Sequence, residues 1–364
     1  MPTLSLIPVL SLVAQWSREP AAPLRIWLRT AGYKLRPPCA VPHEASVRTR
    51  QDAVLSAGQA GPHQCAQIRL ESRPGPLPTI VVGGFVPDAT EALYLLRAPL
   101  LQQGSVYYIH YPRRGFSTEL FLAQLEDLIE EVTRQTGRRP VLMAISFGAG
   151  MVLEMLRRRQ AAGLEPTLAG LVLVSPVTCT ADLLDPAAPK PTTLLGRVIK
   201  PYLDTAQPAD TSLIEKSRTV FLKMFESGAQ NKAALRFLLT ADEAVRLRDA
   251  VLGTINAIDS QGATERVRAL RDLPAPTHPQ VLFSGPALIL YAEKENAVLT
   301  ENAPSRREYS QNLSAWFPRG RLATVVNQSD QPVQHASLIF HCANFSPYFA
   351  AFYRSLRQLR PKAA

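Results

Sequence analysis

Residues 144–150 read AISFGAG, between the apolar run Val141-Leu142-Met143 and the apolar stretch Met151-Val152-Leu153-Glu154-Met155-Leu156. The first run has the character of a buried strand and the second that of a helix, so Ser146 sits where one passes into the other. A serine on a sharp strand-to-helix turn is held in strained backbone angles, and strand and helix come close together there. Small residues are therefore needed two before and two after it. Ala144 and Gly148 occupy those places, Ala144 with one methyl more than the usual glycine. A helix opening at Phe147 would also favour negative charge at the serine. The same serine could equally cap an ordinary helix. The heptapeptide leaves both readings open, and the surrounding chain has to decide.

Outward from this point the sequence alternates. Thr79–Val82, Ser105–Tyr111, Pro140–Ile145 and Leu168–Val174 read as buried strands. Between them, Ala89–Gln103, Thr118–Thr136 and Phe147–Ala162 read as helices, the second with Phe121, Leu125, Leu128 and Val132 at helical spacing and Gly137 as its stop. Val47–Leu55 and Gln64–Leu70 are expected as earlier strands, ahead of the breakers Pro74, Gly75, Pro76 and Pro78. Such alternation implies right-handed βαβ units and a mostly parallel central sheet flanked by helices.

The alternation stops near Thr180. Helical stretches Thr192–Tyr202, Leu213–Ser227, Lys232–Leu239 and Ala241–Ile258 follow, punctuated by proline. It resumes with a strand at Ala287–Tyr291, a helix at Arg306–Trp316, a strand at Arg321–Val326 and a terminal helix at Tyr348–Leu359. The expected organisation is an N-terminal extension (1–44), an α/β core (45–179 and 285–364) and a helical cap or lid (180–284) inserted late in the sheet.

Composition narrows the function classes. Among 364 residues, 46% are hydrophobic and 19% charged, enough apolar material for a large core. The net charge of +10 is dispersed over short groups such as Arg113-Arg114 and Arg157-Arg158-Arg159. No basic block and no aromatic-interleaved signature points to nucleic acid. Four cysteines, Cys39, Cys65, Cys179 and Cys342, lie far apart without a CxxC pair, which argues against a zinc site or a disulfide framework. The apolar segment 4–16 (LSLIPVLSLVAQW) has no preceding Lys or Arg and no A-x-A site, and is too short to cross a bilayer. Cytoplasmic location is expected, with membrane-surface contact through 4–16 as the lesser alternative.

Hydroxyl attack needs a base, a group that orients the base, and donors for the oxyanion. Gly83-Gly84-Phe85 follows the Thr79–Val82 strand, and two glycines would let the Phe85 N–H point at a reacting oxygen, with the Phe147 N–H as second donor. Glu295 lies just past the Ala287–Tyr291 strand, where an orienting acid belongs, with Glu293 as the competing choice. His335 is a late histidine before the last helix, with His341 nearby. A dinucleotide site is not supported: Gly148-Ala149-Gly150 lacks the third glycine and the later acid, and no GxxxxGK is present.

The order Ser, acid, His matches neither chymotrypsin nor subtilisin but that of the α/β-hydrolases. From about residue 45 to 360 the chain resembles that superfamily. VVGGFVP resembles its oxyanion strand end, with Gly83 in the usual histidine place. YIHYPRRGFS resembles its Asp-x-Pro-Gly-x-Gly segment, with His110 and Arg113 replacing Asp and Gly. AISFG resembles the nucleophile elbow, LILYAEKE the acid segment and QHAS the histidine loop. The resemblance implies an α/β-hydrolase fold, a Ser146–His335–Glu295 triad and an oxyanion hole at Phe85 and Phe147, with close approach at Gly84 and Gly148. Glu293 then takes the place of the family's non-triad Glu. The implied activity is cleavage of an ester or related acyl bond in a small hydrophobic substrate through an acyl-enzyme, with no metal and no cofactor. Acyl transfer or thioester cleavage, and non-catalytic binding on the same fold, are the alternatives.

Overall fold

The computed structural model describes residues 40–203, 210–228, 239, 241–327 and 331–359. The expected helix Lys232–Leu239 lies outside these residues except for Leu239, and so does the segment 4–16.

Eight strands form one sheet in the order β1-β2-β4-β3-β5-β6-β7-β8. They are β1 (Val41–His43), β2 (Gln67–Glu71), β3 (Thr79–Val82), β4 (Val106–His110), β5 (Val141–Ile145), β6 (Gly170–Val174), β7 (Pro286–Ala292) and β8 (Arg319–Val325). β2 is antiparallel to both neighbours, and the other pairings are parallel. Every residue of β3, β4, β5 and β6 is buried, as in a sheet covered on both faces. Alternate residues feed two cores. Ile80, Val82, Leu142, Ala144, Leu171 and Leu173 face one layer, and Val81, Val141, Met143, Ile145, Val172 and Val174 the other.

The helices in chain order are α1 (Thr49–Ser56), α2 (Ala89–Ala92), α3 (Arg97–Leu101), α4 (Thr118–Thr136), α5 (Phe147–Ala161), α6 (Leu194–Leu203), α7 (Thr211–Gly228), α8 (Ala241–Ala257), α9 (Ser260–Arg271), α10 (Pro304–Trp316) and α11 (Cys342–Gln358). Helix α4 has the expected boundaries. The Ser117 side chain accepts a hydrogen bond from Leu120 N at its start, and Gly137 ends it at a φ of 62°. No helix among the described residues is long and apolar enough to cross a membrane.

Four sequence expectations change. Val47–Leu55 is helix α1, not a strand: the Asp127 carboxylate accepts from Arg50 N (3.1 Å) and Gln51 N (3.0 Å) and caps the first turn from another helix. Local periodicity cannot reveal a cap that arrives from 77 residues away. Val41–His43, expected in the extension, is the edge strand β1. Ala89–Gln103 breaks into α2 and α3, because Tyr94 N and Leu96 N bond three residues back, to Glu91 O and Leu93 O, and tighten the chain between them. Helix α9 was not expected at all. Its sequence, SQGATERVRALR, is polar with a glycine near the start, and it is opened by Asp259, whose Oδ1 accepts from Gly262 N at 2.6 Å.

Helices α6 to α9 form a region inserted between β6 and β7, with α6 packed on α7 and α9, and α7 on α8. Its root is pinned by Asp182, which is fully buried. One carboxylate oxygen accepts from Thr178 N (2.7 Å) and Thr178 Oγ1 (3.1 Å), and the other from Ser305 N (2.9 Å) in the first turn of α10. Burial raises the Asp182 carboxyl, and these hydrogen bonds oppose that shift. Asp182→Ala would leave several buried donors without a partner and is expected to lower unfolding free energy by about 3 kcal/mol. Urea unfolding checks this, and a loss within about 0.5 kcal/mol would contradict it.

Candidate active site

The strand order reverses at β3, which lies between β4 and β5. A crevice opens beyond the carboxyl ends of the strands at such a point. Gly83 and Gly84 leave β3 there, and Ser146 leaves β5 beside them.

Ser146 has φ 49° and ψ −118°, outside the regions an L-residue prefers. The turn is held on three sides: Ser146 N donates to Val174 O at 2.9 Å, and Ser146 O accepts from Ala149 N (2.9 Å) and Val177 N (3.2 Å). A Cβ on Gly148 would stand 2.3 Å from Gly83 O, and one on Gly84 would stand 3.3 Å from Ser146 Cβ. Gly148 is thus needed for the β3 loop to lie against the elbow, and Gly84 leaves room for that approach without displacing Ser146. Ala144 is fully buried in β5, where its single methyl packs into the core. The Phe85 and Phe147 rings stack at 4.4 Å with 12° between planes, which locks the glycine loop to the first residue of α5. The Phe147 N–H, at the helix start, has no partner one turn earlier in the helix.

His335 Nε2 lies 2.9 Å from Ser146 Oγ, and His335 Nδ1 contacts Glu295 Oε2. When Nδ1 donates its proton to the carboxylate, Nε2 presents a lone pair that accepts from the serine hydroxyl. Glu295 is only 2% exposed. Its other oxygen, Oε1, accepts from Ala292 N (2.6 Å) and Ser175 Oγ (2.7 Å), so the buried charge is met by hydrogen bonds. The structure therefore brings Ser146, His335 and Glu295 into one chain of contacts. The two competing residues stand apart. Glu293 is exposed and accepts from Asn327 N at 3.2 Å, while His341 contacts Ser337 Oγ at 3.0 Å near the start of α11.

Sequence reasoning missed Ser175. It directly follows β6 with φ 44°, and its Oγ, besides donating to Glu295, accepts from Ala336 N at 3.1 Å. It thereby ties the acid to the residue after His335. The three positive-φ residues other than glycine among those described are Ser146, Ser175 and Ala336, and all three meet here. A serine at the carboxyl end of a strand bordering the acid-bearing strand was the available signal.

A cavity of about 380 Å³ opens onto Ser146 and His335. Its far wall is apolar and comes from the inserted region: Leu195 of α6, Phe221 and Met224 of α7, and Val251 and Ile255 of α8. Behind the glycine loop lies a charged group. Arg113 binds Asp88 with both terminal nitrogens, and His110 sits between Asp88 (3.2 Å) and Thr90 (3.0 Å). Burial lowers His110 to about 4. Burial, and then the nearby Asp88 charge, raise Glu91 to about 7, and Glu91 Oε2 has no hydrogen-bond partner among the described residues. No three His, Cys, Asp or Glu side chains among the described residues cluster to hold a metal.

Residues 80–341 match the model of the alpha/beta hydrolase family, and the chain belongs to that family. No similar sequence is found among curated proteins. Among solved structures, a membrane phospholipase A described as a bacterial virulence factor superposes with a TM-score of 0.56 at 13% identity, covering 97% of this chain and 98% of that one. An esterase from Exiguobacterium antarcticum gives 0.52 at 15%, covering 79% and 96%. A mutant of an epoxide hydrolase from Bacillus megaterium gives 0.53 at 11%, covering 79% and 97%. At these identities the likeness is one of fold.

One outcome follows from the geometry and a second from the raised Glu91 carboxyl. Glu295→Gln should slow the reaction of Ser146 with a fluorophosphonate by about 100-fold or more, while Glu293→Gln changes it less than about twofold. Equal effects of the two changes would refute the assignment. A carboxyl raised from 4.5 to about 7 makes the native state bind the extra proton, so its contribution to stability is lost as pH rises through that range. Glu91→Gln should therefore stabilise the protein by about 2 kcal/mol at pH 8 and by much less at pH 4.5. Denaturant unfolding at the two pH values measures the difference, and no pH dependence would disprove it.

Proposed function

We propose that the protein is a serine hydrolase that cleaves an ester or related acyl bond in a hydrophobic substrate. The observation that carries this reading is the 2.9 Å contact from His335 Nε2 to Ser146 Oγ, with Glu295 on the far side of the imidazole. His335 takes the hydroxyl proton as Ser146 attacks the acyl carbonyl, and Glu295 holds the ring in the productive tautomer and stabilises its positive charge. The Phe85 and Phe147 N–H groups receive the oxyanion, and the α5 terminus favours the same charge. The protonated histidine then gives its proton to the leaving alcohol. Water, activated by the neutral histidine, attacks the acyl-enzyme, and collapse of the second tetrahedral species releases the acid and restores Ser146.

The inserted helices serve as the cap in this reading. Their apolar side chains line the cavity facing Ser146, which supports an acyl or aryl group as the part of the substrate held there. The test pairs fluorophosphonate labelling with hydrolysis of short-chain p-nitrophenyl esters. Wild type should be labelled and active, and Ser146→Ala should lose the label and about 1000-fold or more of kcat. Equal labelling of the variant, or none of folded wild type, would overturn the proposal.

A further inference from the structure

Gly83 and Gly84 give the loop after β3 conformational freedom, whereas an oxyanion donor works only if it is fixed beforehand. The carbonyls on either side of the Gly84–Phe85 peptide are both held from behind. Tyr111 Oη, from the segment after β4, donates to Gly83 O at 3.0 Å. Its ring is wedged against Phe116, Phe121 and Phe147. Arg266, from α9 of the inserted region, donates through Nη1 to Phe85 O at 3.3 Å and through Nη2 to Pro112 O. Its guanidinium lies 5.2 Å from the centre of the Tyr111 ring. This side chain is 2% exposed, and its Nε has no hydrogen-bond partner among the described residues.

Burying the Arg266 cation carries a desolvation cost, which its hydrogen bonds to main-chain carbonyls offset in part. Helix α9 is docked firmly enough to hold it there. Asp259 N donates to Arg113 O at 3.1 Å, Glu265 accepts from Phe116 N and from Gln64 Nε2 (3.0 Å), and a Cβ on Gly262 would stand 2.8 Å from Arg113 O.

We propose that Arg266 and Tyr111 are positioning residues that fix the Phe85 N–H toward the oxyanion, so that the inserted region completes the reacting centre from behind as well as lining the cavity in front. The inference rests on the Ser146 hydrolase reading. It makes the two side chains act on the tetrahedral species more than on bound ester, because the donor they orient meets charge only as it develops.

The experiment compares full-length wild type with Tyr111→Phe and Arg266→Met on p-nitrophenyl butyrate. It also measures inhibition by an aryl trifluoromethyl ketone, which adds to the serine to give a tetrahedral adduct. Tyr111→Phe removes one hydroxyl and keeps the ring packing. The expected result is a fall in kcat of about tenfold, KM within about twofold, and ketone inhibition weakened by the same factor as kcat. Arg266→Met should follow the same pattern with a larger fall. A kcat within twofold of wild type in folded Tyr111→Phe, or a loss confined to KM, would overturn the inference. If Arg266→Met fails to fold, Tyr111→Phe decides alone. Wild type that is neither labelled nor active would bring down the hydrolase reading and this inference with it. Labelled, active wild type with unimpaired variants would sink this inference only.

Discussion

The backbone at Ser146 is the constraint on which the rest of the site depends. A φ of 49° at a residue with a side chain costs about 1–3 kcal/mol, and the surrounding structure has to hold it there. It is held by main-chain bonds to Val174 at the end of β6 and Val177 beyond it, and by a glycine loop packed so close that neither Gly84 nor Gly148 has room for a side chain without displacement. Small residues at these places are a condition of the geometry. The strained turn aims the serine hydroxyl into the crevice where the sheet reverses direction, and it places the first N–H of α5 beside it.

Glu295 and His335 reach that crevice from late in the chain, and their placement is a matter of burying charge safely. Glu295 is almost wholly buried, so both its oxygens need donors. Oε1 finds Ala292 N and Ser175 Oγ, and Oε2 faces His335. Ser175 in turn holds Ala336 N, which leaves the histidine loop little freedom to turn away. Glu293, two residues earlier, is exposed at the β8 side, where its carboxylate accepts from Asn327 N at the start of the following loop. The inserted helices contribute at two levels: apolar side chains that line the cavity, and α9, which reaches behind the glycine loop.

Where the sequence was legible, the reason is local. Strands buried on both faces must be continuously apolar, so Thr79–Val82 and Leu168–Val174 announced themselves, and α4 carried its apolar stripe and its stop glycine in one stretch. Where it was not, a distant partner intervened. Asp127 turns Thr49–Ser56 into a helix, and the polar α9 is stable because it docks on the segment 112–116. Ser175, Tyr111 and Arg266 gave no signal of their own, because an isolated serine, tyrosine or arginine says nothing about which carbonyl or carboxylate it will meet.

By itself, then, the sequence determined the alternation of strands and helices, the break in that alternation after Thr180, and the presence of a serine, a carboxylate and a histidine in the chain order that the family uses. These follow from hydrophobic periodicity and from the small residues that a strained turn requires, both of which are properties of neighbouring residues. Only the tertiary structure placed Glu295 rather than Glu293 against His335, placed His335 rather than His341 against Ser146, and brought Ser175 and Arg266 close to them. Those choices turn on which polar groups share a buried space. Such groups lie from 40 to 189 residues apart in the chain and meet only when the sheet and its inserted helices have packed.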